Sequence, residues 1–346
     1  MAAAPTKPDY ASLIAALGVR HMQPLWDRYH RITTREPQPV DTPMAWAWRD
    51  MEPLIDRATR EVAMEDAERR VLLLTHPAFG GQVATTTNLL AGLQVLLPGE
   101  IARAHRHTLQ ALRFVMSGSG AQTSVNQHCC PMEVGDLVLT PAWTWHEHVH
   151  AGTGPMVWFD GLDLPLMQHL DSMFFEIAGP DAAAVAPQPT RAAMLQGDMV
   201  LLGPDADASG DGTQANPYRY SWHRASAALD GAAPAADGSR CLRYVDGHSR
   251  GAVMPTLDCY LLALATGQPT RRYRSTSNAV CVVVRGSGRS QIGESTIDWS
   301  PRDVFTVPHW NWTSHTALSG DAVLFMMTDR EFLASIGYLR EEHGSP

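Results

Sequence analysis

The chain has 346 residues, 45% hydrophobic and 18% charged, a globular composition that suits one large domain or two ordinary ones. Acidic residues outnumber basic ones 36 to 27, a formal charge of −9, and no basic block of the kind that serves nucleic-acid or polybasic membrane binding is visible. No apolar run approaches the roughly 18–20 residues of a membrane span. Pro5, Lys7 and Asp9 interrupt the start too early for a signal peptide. The five cysteines (Cys129, Cys130, Cys241, Cys259 and Cys281) form no CxxC pair, so a reduced, cytoplasmic protein without a disulfide framework is expected.

In chain order, residues 9–32 read as a helix, with Leu13, Ile14, Leu17, Leu25 and Trp26 at helical spacing and a break or restart at Pro24. A Pro-rich link follows, then a second helical stretch over 52–70. From Val71 the texture becomes short runs of Val, Leu, Thr and aromatics between Gly, Pro and Asn turns: Val71–Thr75, Thr87–Leu97, Leu112–Met116, Asp136–Thr140 and Met156–Phe159. Closely spaced strands of this kind predict an all-β sandwich or barrel. Leu166–Phe175 reads as helical. The Ala/Pro/Gly/Asp-rich stretch 179–238 marks a boundary, mostly loop with one or two helical turns. Beyond it the order of the first half recurs: Gly turn, two strands, Gly-Ser-Gly, an Asp-led strand, Pro and aromatics. A repeat of that length implies a duplicated β domain, not a solenoid of small units. The expected organisation is a helical extension over 1–70, a barrel over 71–178, a linker over 179–238 and a second barrel over 239–346.

His105 and His107 are two apart and project from one face of a strand. His146 follows the strand Asp136–Thr140 and the turn at Pro141. A buried histidine is more often a hydrogen-bonded core residue than a ligand, but a strand pair with a third in frame fits an imidazole site for Fe, Zn, Cu, Ni or Mn. Alternate counting from His105 turns His107, Leu109, Ala111 and Arg113 inward if the strand stays regular. An inward arginine requires an anion. That anion is either a structural carboxylate such as Asp160 or a substrate carboxylate held in a bidentate fork. His148 shares the face of His146 and serves either as a ligand-facing group or a rim residue; Gln94 is a further inward candidate. His128, Cys129 and Cys130 form a soft cluster that reads as a solvated hairpin tip.

These residues resemble the bicupin pattern and, within it, the gentisate 1,2-dioxygenase family, which includes salicylate and 1-hydroxy-2-naphthoate dioxygenases. The first motif, G-x5-HxH-x3-E-x6-G, reads Gly99, His105, His107, Ala111 in place of Glu, and Gly118. The second, G-x5-PxG-x2-H, reads Gly135, Pro141, Trp143 in place of Gly, and His146. The strings AGLQVLLPGE, HRHT, ALRF, TPAWTWHEH and VWFDGLDLPL match the group as well. In the second half the ligand positions hold Tyr273, Ser275 and Thr313, so that barrel is expected to be metal-free and structural, with His309 and His315 outside the motif frame.

The resemblance implies two tandem double-stranded β-helix (jelly-roll) barrels and Fe(II) on His105, His107 and His146. It also implies scission of the bond between the carboxylate-bearing and hydroxyl-bearing ring carbons by O2, giving maleylpyruvate from gentisate. Arg113 and Gln94 would position substrate or oxygen, His148 would hydrogen-bond one of them, and Asp160 would orient its neighbours. Arg69 or Arg70 would reach the substrate carboxylate unless both are surface charges. A homotetramer is implied. The family generally carries a bulky aromatic where this chain has Leu90, so the pocket is expected to admit salicylates substituted at the ring 5-position, such as 5-nitrosalicylate, besides gentisate, salicylate and 1-hydroxy-2-naphthoate. A Zn or Mn cupin isomerase or hydrolase, or a non-enzymatic bicupin, are the competing classes. Ala111 counts against the first and the intact histidine set against the second.

Overall fold

A computed structural model describes residues 9–178, 199–205 and 216–344. Half of the expected linker, including much of the run PDADASGDGTQANP, lies outside the described residues. The chain divides into a unit up to Gln38 and a unit from Pro39 onward.

In the first unit, Asp9 caps the helix Tyr10–Val19 by accepting from Ser12 N. The chain then breaks through Pro24 and forms the single turn Tyr29–Ile32. The Trp26 indole donates to the Tyr10 hydroxyl at 3.1 Å, and no side chain of either helix is buried.

The second unit is an all-β bicupin preceded by the helices Trp48–Glu61 and Met64–Ala67, two elements where the sequence suggested one. The first barrel has a six-stranded sheet in the order Arg219–Tyr220, Leu137–Thr140, Ala111–Ser117, Met156–Leu162, Leu90–Leu96, Val71–Leu74. Its five-stranded partner runs Phe175–Ile177, Ile101–His107, His146–His150, Ala121–Val125, His128–Met132. The second barrel repeats this plan with seven and five strands. Two of the strands in its larger sheet come from outside the expected 239–346: Ala45–Trp46 pairs with Val304–Val307, and Val200–Leu202 pairs in parallel with Arg240–Tyr244.

The sequence pattern explains which face goes where, because alternate side chains of a strand point to opposite faces. On Leu90–Leu96, Ala91, Leu93 and Val95 join a core shared by both barrels, whereas Leu96 belongs to the first barrel's interior. Phe114 stacks on Phe325 at 4.1 Å across that shared core, so the two large sheets meet back to back. Each barrel interior is thereby left to its own contents.

Three local readings need correction. Leu166–Phe175 is not one helix: Leu164–His169 is helical, and Phe175–Ile177 is an edge strand on Ile101–His107. His128–Cys130 is not a hairpin tip. It begins a strand, and the tip is Asn126-Gln127, both at positive φ as a two-residue turn requires. Finally, the strand carrying His105 does not run on to Arg113. It ends at His107, turns, and restarts at Ala111, yet Arg113 is still brought inward.

Candidate metal centre

His105 and His107 end the strand Ile101–His107, and His146 opens the adjacent antiparallel strand, with His105 directly opposite His146. All three are buried, and one ring nitrogen of each lies within 4.8 Å of the others. Local backbone fixes two of the tautomers. His107 Nδ1 lies 3.0 Å from the Leu109 carbonyl and His146 Nδ1 lies 2.9 Å from the Thr144 carbonyl. A carbonyl only accepts, so each Nδ1 carries the hydrogen and each Nε2 keeps a lone pair. Burial holds the imidazoles neutral: His105 is pushed down to about 2, His107 to about 4, and His146 well below its ordinary value. Neutral imidazole is the ligand form, and His146 Nε2 is buried with no hydrogen-bond partner. The donor set therefore fits a divalent transition metal. Ala111, at the motif's glutamate position, supplies no carboxylate.

The next histidines on that strand differ from one another. His150 has both nitrogens engaged, with the Gly154 carbonyl and Gly152 N–H. His148 shares one hydrogen bond with Thr123 at 2.8 Å and leaves Nε2 buried and unpaired.

Behind the histidines the large sheet presents rows of inward residues. One row pairs Gly92, Asp160 and Arg113; the next brings Gln94 opposite Trp158. Arg113 is 4% exposed, donates through Nη1 to Thr140 Oγ1 at 2.6 Å, and holds Nε 3.6 Å from Asp160 Oδ1. Asp160 accepts from the Trp158 indole at 2.9 Å. Burial raises its carboxyl to about 6, partly countered by the Arg113 charge, the Trp158 hydrogen bond and Arg69. Arg113 Nε and Gln94 Nε2 are buried without hydrogen-bond partners. Leu90 is 2% exposed and lies in one cross-strand row with Leu162 and Ala111, so its side chain flanks the vacated glutamate position.

The two adjacent arginines part company. Arg70 turns away into a buried pair with Glu100 at 2.9 Å. Arg69 reaches the histidines: Nη2 donates to the Arg103 carbonyl at 3.0 Å and contacts His105 Nδ1. Its guanidinium carbon lies 5.9 Å from the centroid of the Phe175 ring. Phe175, placed by the edge strand, stands 5.3 Å from His105 and 6.4 Å from His107, ring to ring. It was hidden in the sequence by a helical-looking run. Thr140, Thr123 and Trp158 were also missed; nothing in their own spacing marks them, since Thr140 and Thr123 act on residues of neighbouring strands and Trp158 on Asp160, two positions along its own strand.

The soft cluster does not assemble with this site. Cys130 is buried beside Asn216, and burial raises its thiol to about 12.

A cupin-domain family model matches residues 92–162, the segment that holds His105, His107, His146, His148 and His150. A gentisate 1,2-dioxygenase of Aquipseudomonas alcaligenes is 36% identical over 325 residues, 92% of each chain. The chain belongs to the gentisate 1,2-dioxygenase family. A 5-aminosalicylate 1,2-dioxygenase of a Comamonas species is 33% identical, covering 96% of this chain and 90% of that one. Among solved structures, the salicylate 1,2-dioxygenase of Pseudoaminobacter salicylatoxidans with gentisate superposes with a TM-score of 0.84 at 28% identity, covering 100% of this chain and 97% of that one. Within the gentisate 1,2-dioxygenase family, then, this chain is a ring-cleaving enzyme with a three-histidine metal site on a bicupin scaffold.

Proposed function

We propose that the metal is Fe(II), held by His105, His107 and His146, and that the substrate is a 2-hydroxybenzoate: gentisate, or a salicylate with or without a 5-substituent. Both oxygen atoms of O2 enter the product as the bond between the carboxylate-bearing and hydroxyl-bearing carbons breaks. Three neutral ligands leave the metal its full charge and open positions, and bound iron supplies the redox centre at which ring and O2 react. The protein's own part is positioning. Arg113 offers an unpaired N–H of a buried cation to the substrate carboxylate, Arg69 adds positive charge at the metal-facing side, and Gln94 and His148 offer unpaired nitrogens to the remaining oxygens. Asp160 holds the Arg113 guanidinium in place.

One observation carries this reading. Buried polar atoms are nearly always paired, yet Arg69 Nε, Gln94 Nε2, Arg113 Nε, His146 Nε2 and His148 Nε2 are all buried and unpartnered inside one barrel. A metal with an anionic, oxygen-bearing ligand satisfies such a set. The exposed run Met173, Phe174, Phe175 and Ile177, next to Ile101, supports burial against further copies in a homotetramer, and the five unpaired cysteines suit the cytoplasm.

Oxygen uptake and ring-opened product measured on gentisate, salicylate, 5-substituted salicylates and 1-hydroxy-2-naphthoate test the substrate reading. Leu90→Tyr narrows the space beside Ala111, so it is expected to shift relative kcat/KM toward gentisate and against bulky 5-substituents by roughly tenfold, the scale of a small steric change in a pocket. An unchanged profile removes Leu90 from the argument.

A further inference from the structure

The second barrel keeps the pocket architecture of the first with its chemistry rewritten. Tyr273 lies opposite Thr313 just as His105 lies opposite His146. His315 shares a hydrogen bond with Ser290 at 2.7 Å and leaves Nε2 buried and unpaired, the arrangement of His148 with Thr123. Between these strands and the large sheet lies a cavity of about 210 Å³ lined by Tyr260, Leu262, Tyr273, Ala279, Thr313 and Met326, among others.

The cross-strand rows show what changed. Arg113 pairs with Asp160, and Asp160 with Gly92; in the second barrel the same row reads Cys281, Met326 and Tyr260. Gln94 sits opposite Trp158, where the second barrel has Leu262 opposite Leu324. The two charged groups, Arg113 and Asp160, are thus replaced by the thiol of Cys281 and the thioether of Met326, and Gly92 by the phenol of Tyr260. The cation that does line the cavity, Arg330, is already committed to Glu341 at 2.6 Å and to Glu331. Farther along the same sheet Asp258 is paired with Arg243 and accepts from the Tyr260 hydroxyl. Arg243, opposite Tyr260, is held behind the wall between Asp258 and Glu331 and does not line the cavity. A carboxylate entering here would be desolvated beside Glu341, with the lining guanidinium of Arg330 already paired.

We propose that this cavity is a second binding site, selective for a small uncharged aromatic molecule such as a phenol. The size suffices, since an apolar cavity of about 150 Å³ already takes benzene. The apolar walls receive the ring, while hydroxyl-bearing Tyr273 and Thr313 offer partners for one polar substituent. The two barrels thereby sort ligands by charge: aromatic anions to the first, neutral aromatics to the second. This does not depend on the identity of the metal or of the substrate.

The test uses the intact enzyme with 4-bromophenol and 4-bromobenzoate as probes. In soaked crystals, a bromine anomalous peak is expected between Tyr260, Tyr273 and Met326 for the phenol and none there for the benzoate. In solution, saturable heat of 4-bromophenol binding is expected to weaken at least tenfold in Ala279→Phe, which fills the cavity, while kcat/KM for ring cleavage stays at the parent value. No bromine peak with the phenol, or equal peaks with both probes, overturns the proposal even if Ala279→Phe fails to fold. Binding that survives in a folded Ala279→Phe protein overturns it as well.

Discussion

Arg113 and Asp160 form a buried pair whose geometry is incomplete by design of the surrounding strands. The guanidinium is fastened at Nη1 by Thr140 and faces Asp160 at 3.6 Å through an Nε that donates to nothing. Arg113→Lys keeps the charge and loses the planar fork, so kcat/KM is expected to fall roughly 10- to 100-fold, the worth of one buried charge-assisted hydrogen bond. Metal content should be unchanged, which steady-state kinetics and metal analysis on the same preparation would show. Asp160 gives this pair a pH dependence. Its carboxyl is raised to about 6, so it is neutral below that pH and leaves the Arg113 charge to the substrate; above it, the carboxylate competes with the substrate carboxylate. KM for an anionic substrate is therefore expected to rise severalfold as pH climbs through about 6, and to stay low and flat in Asp160→Asn. A wild-type KM that falls over this range contradicts the assignment. At this scale the sequence made much of the site legible, because HxH spacing and an inward arginine are strong local signals. It did not reveal that Arg69, and not Arg70, turns to the histidines, since adjacent residues alternate faces and only the tertiary position of the strand start decides between them.

Strand ends and edges are where the elements depart from their sequence signals. Long central strands announce themselves by β-branched and apolar runs. Ala45–Trp46 and Phe175–Ile177 are short edge strands with sequence-distant partners, so no local pattern marks them. Trp143 shows a different override. It stands where the cupin motif has glycine, at φ 64° in the left-handed region. Its N–H bonds the His107 carbonyl at 2.7 Å, and its ring lies 4.4 Å from the Arg106 guanidinium. Trp310 repeats this at φ 59°, bonding the Ser275 carbonyl and stacking with Arg274 at 4.2 Å. The duplication thus extends to a strained turn, held in both barrels by the same hydrogen bond and cation–π contact. The Asp-led strand has its own anchor. Asp136, 1% exposed, accepts from Trp222 N at 2.8 Å and from Arg219 at 2.8 Å, tying the helix Trp222–Asp230 to the first barrel. Asp136→Ala leaves Arg219 and a helix N-terminus without that partner, and chemical denaturation is expected to show a loss of about 3–5 kcal/mol. A loss under about 1 kcal/mol would mean that Asp205, the second partner of Arg219, suffices alone.

At the level of the whole molecule, two barrels joined through a common apolar core have diverged in their interiors. The repeat was legible in the sequence because turn and strand signals recur in order. The exchange of strands across the expected boundaries was not, because it depends on where chain segments find an open sheet edge. The first barrel concentrates neutral imidazoles and arginines, and the second replaces them with hydroxyls, thiol and thioether. Among the described residues, the group able to hold a metal is His105, His107 and His146 of the first barrel, and the proposed ring cleavage is assigned there. The most direct test strips the metal with a chelator, restores Fe(II) or Zn(II) under anaerobic conditions, and follows oxygen uptake with ring-opened product in the parent and in His146→Ala. The account predicts one Fe(II) bound per chain, oxygen and product in equal amounts only with Fe(II), and neither metal retention nor turnover in His146→Ala. Full turnover in the stripped protein, or undiminished activity in His146→Ala, would contradict it.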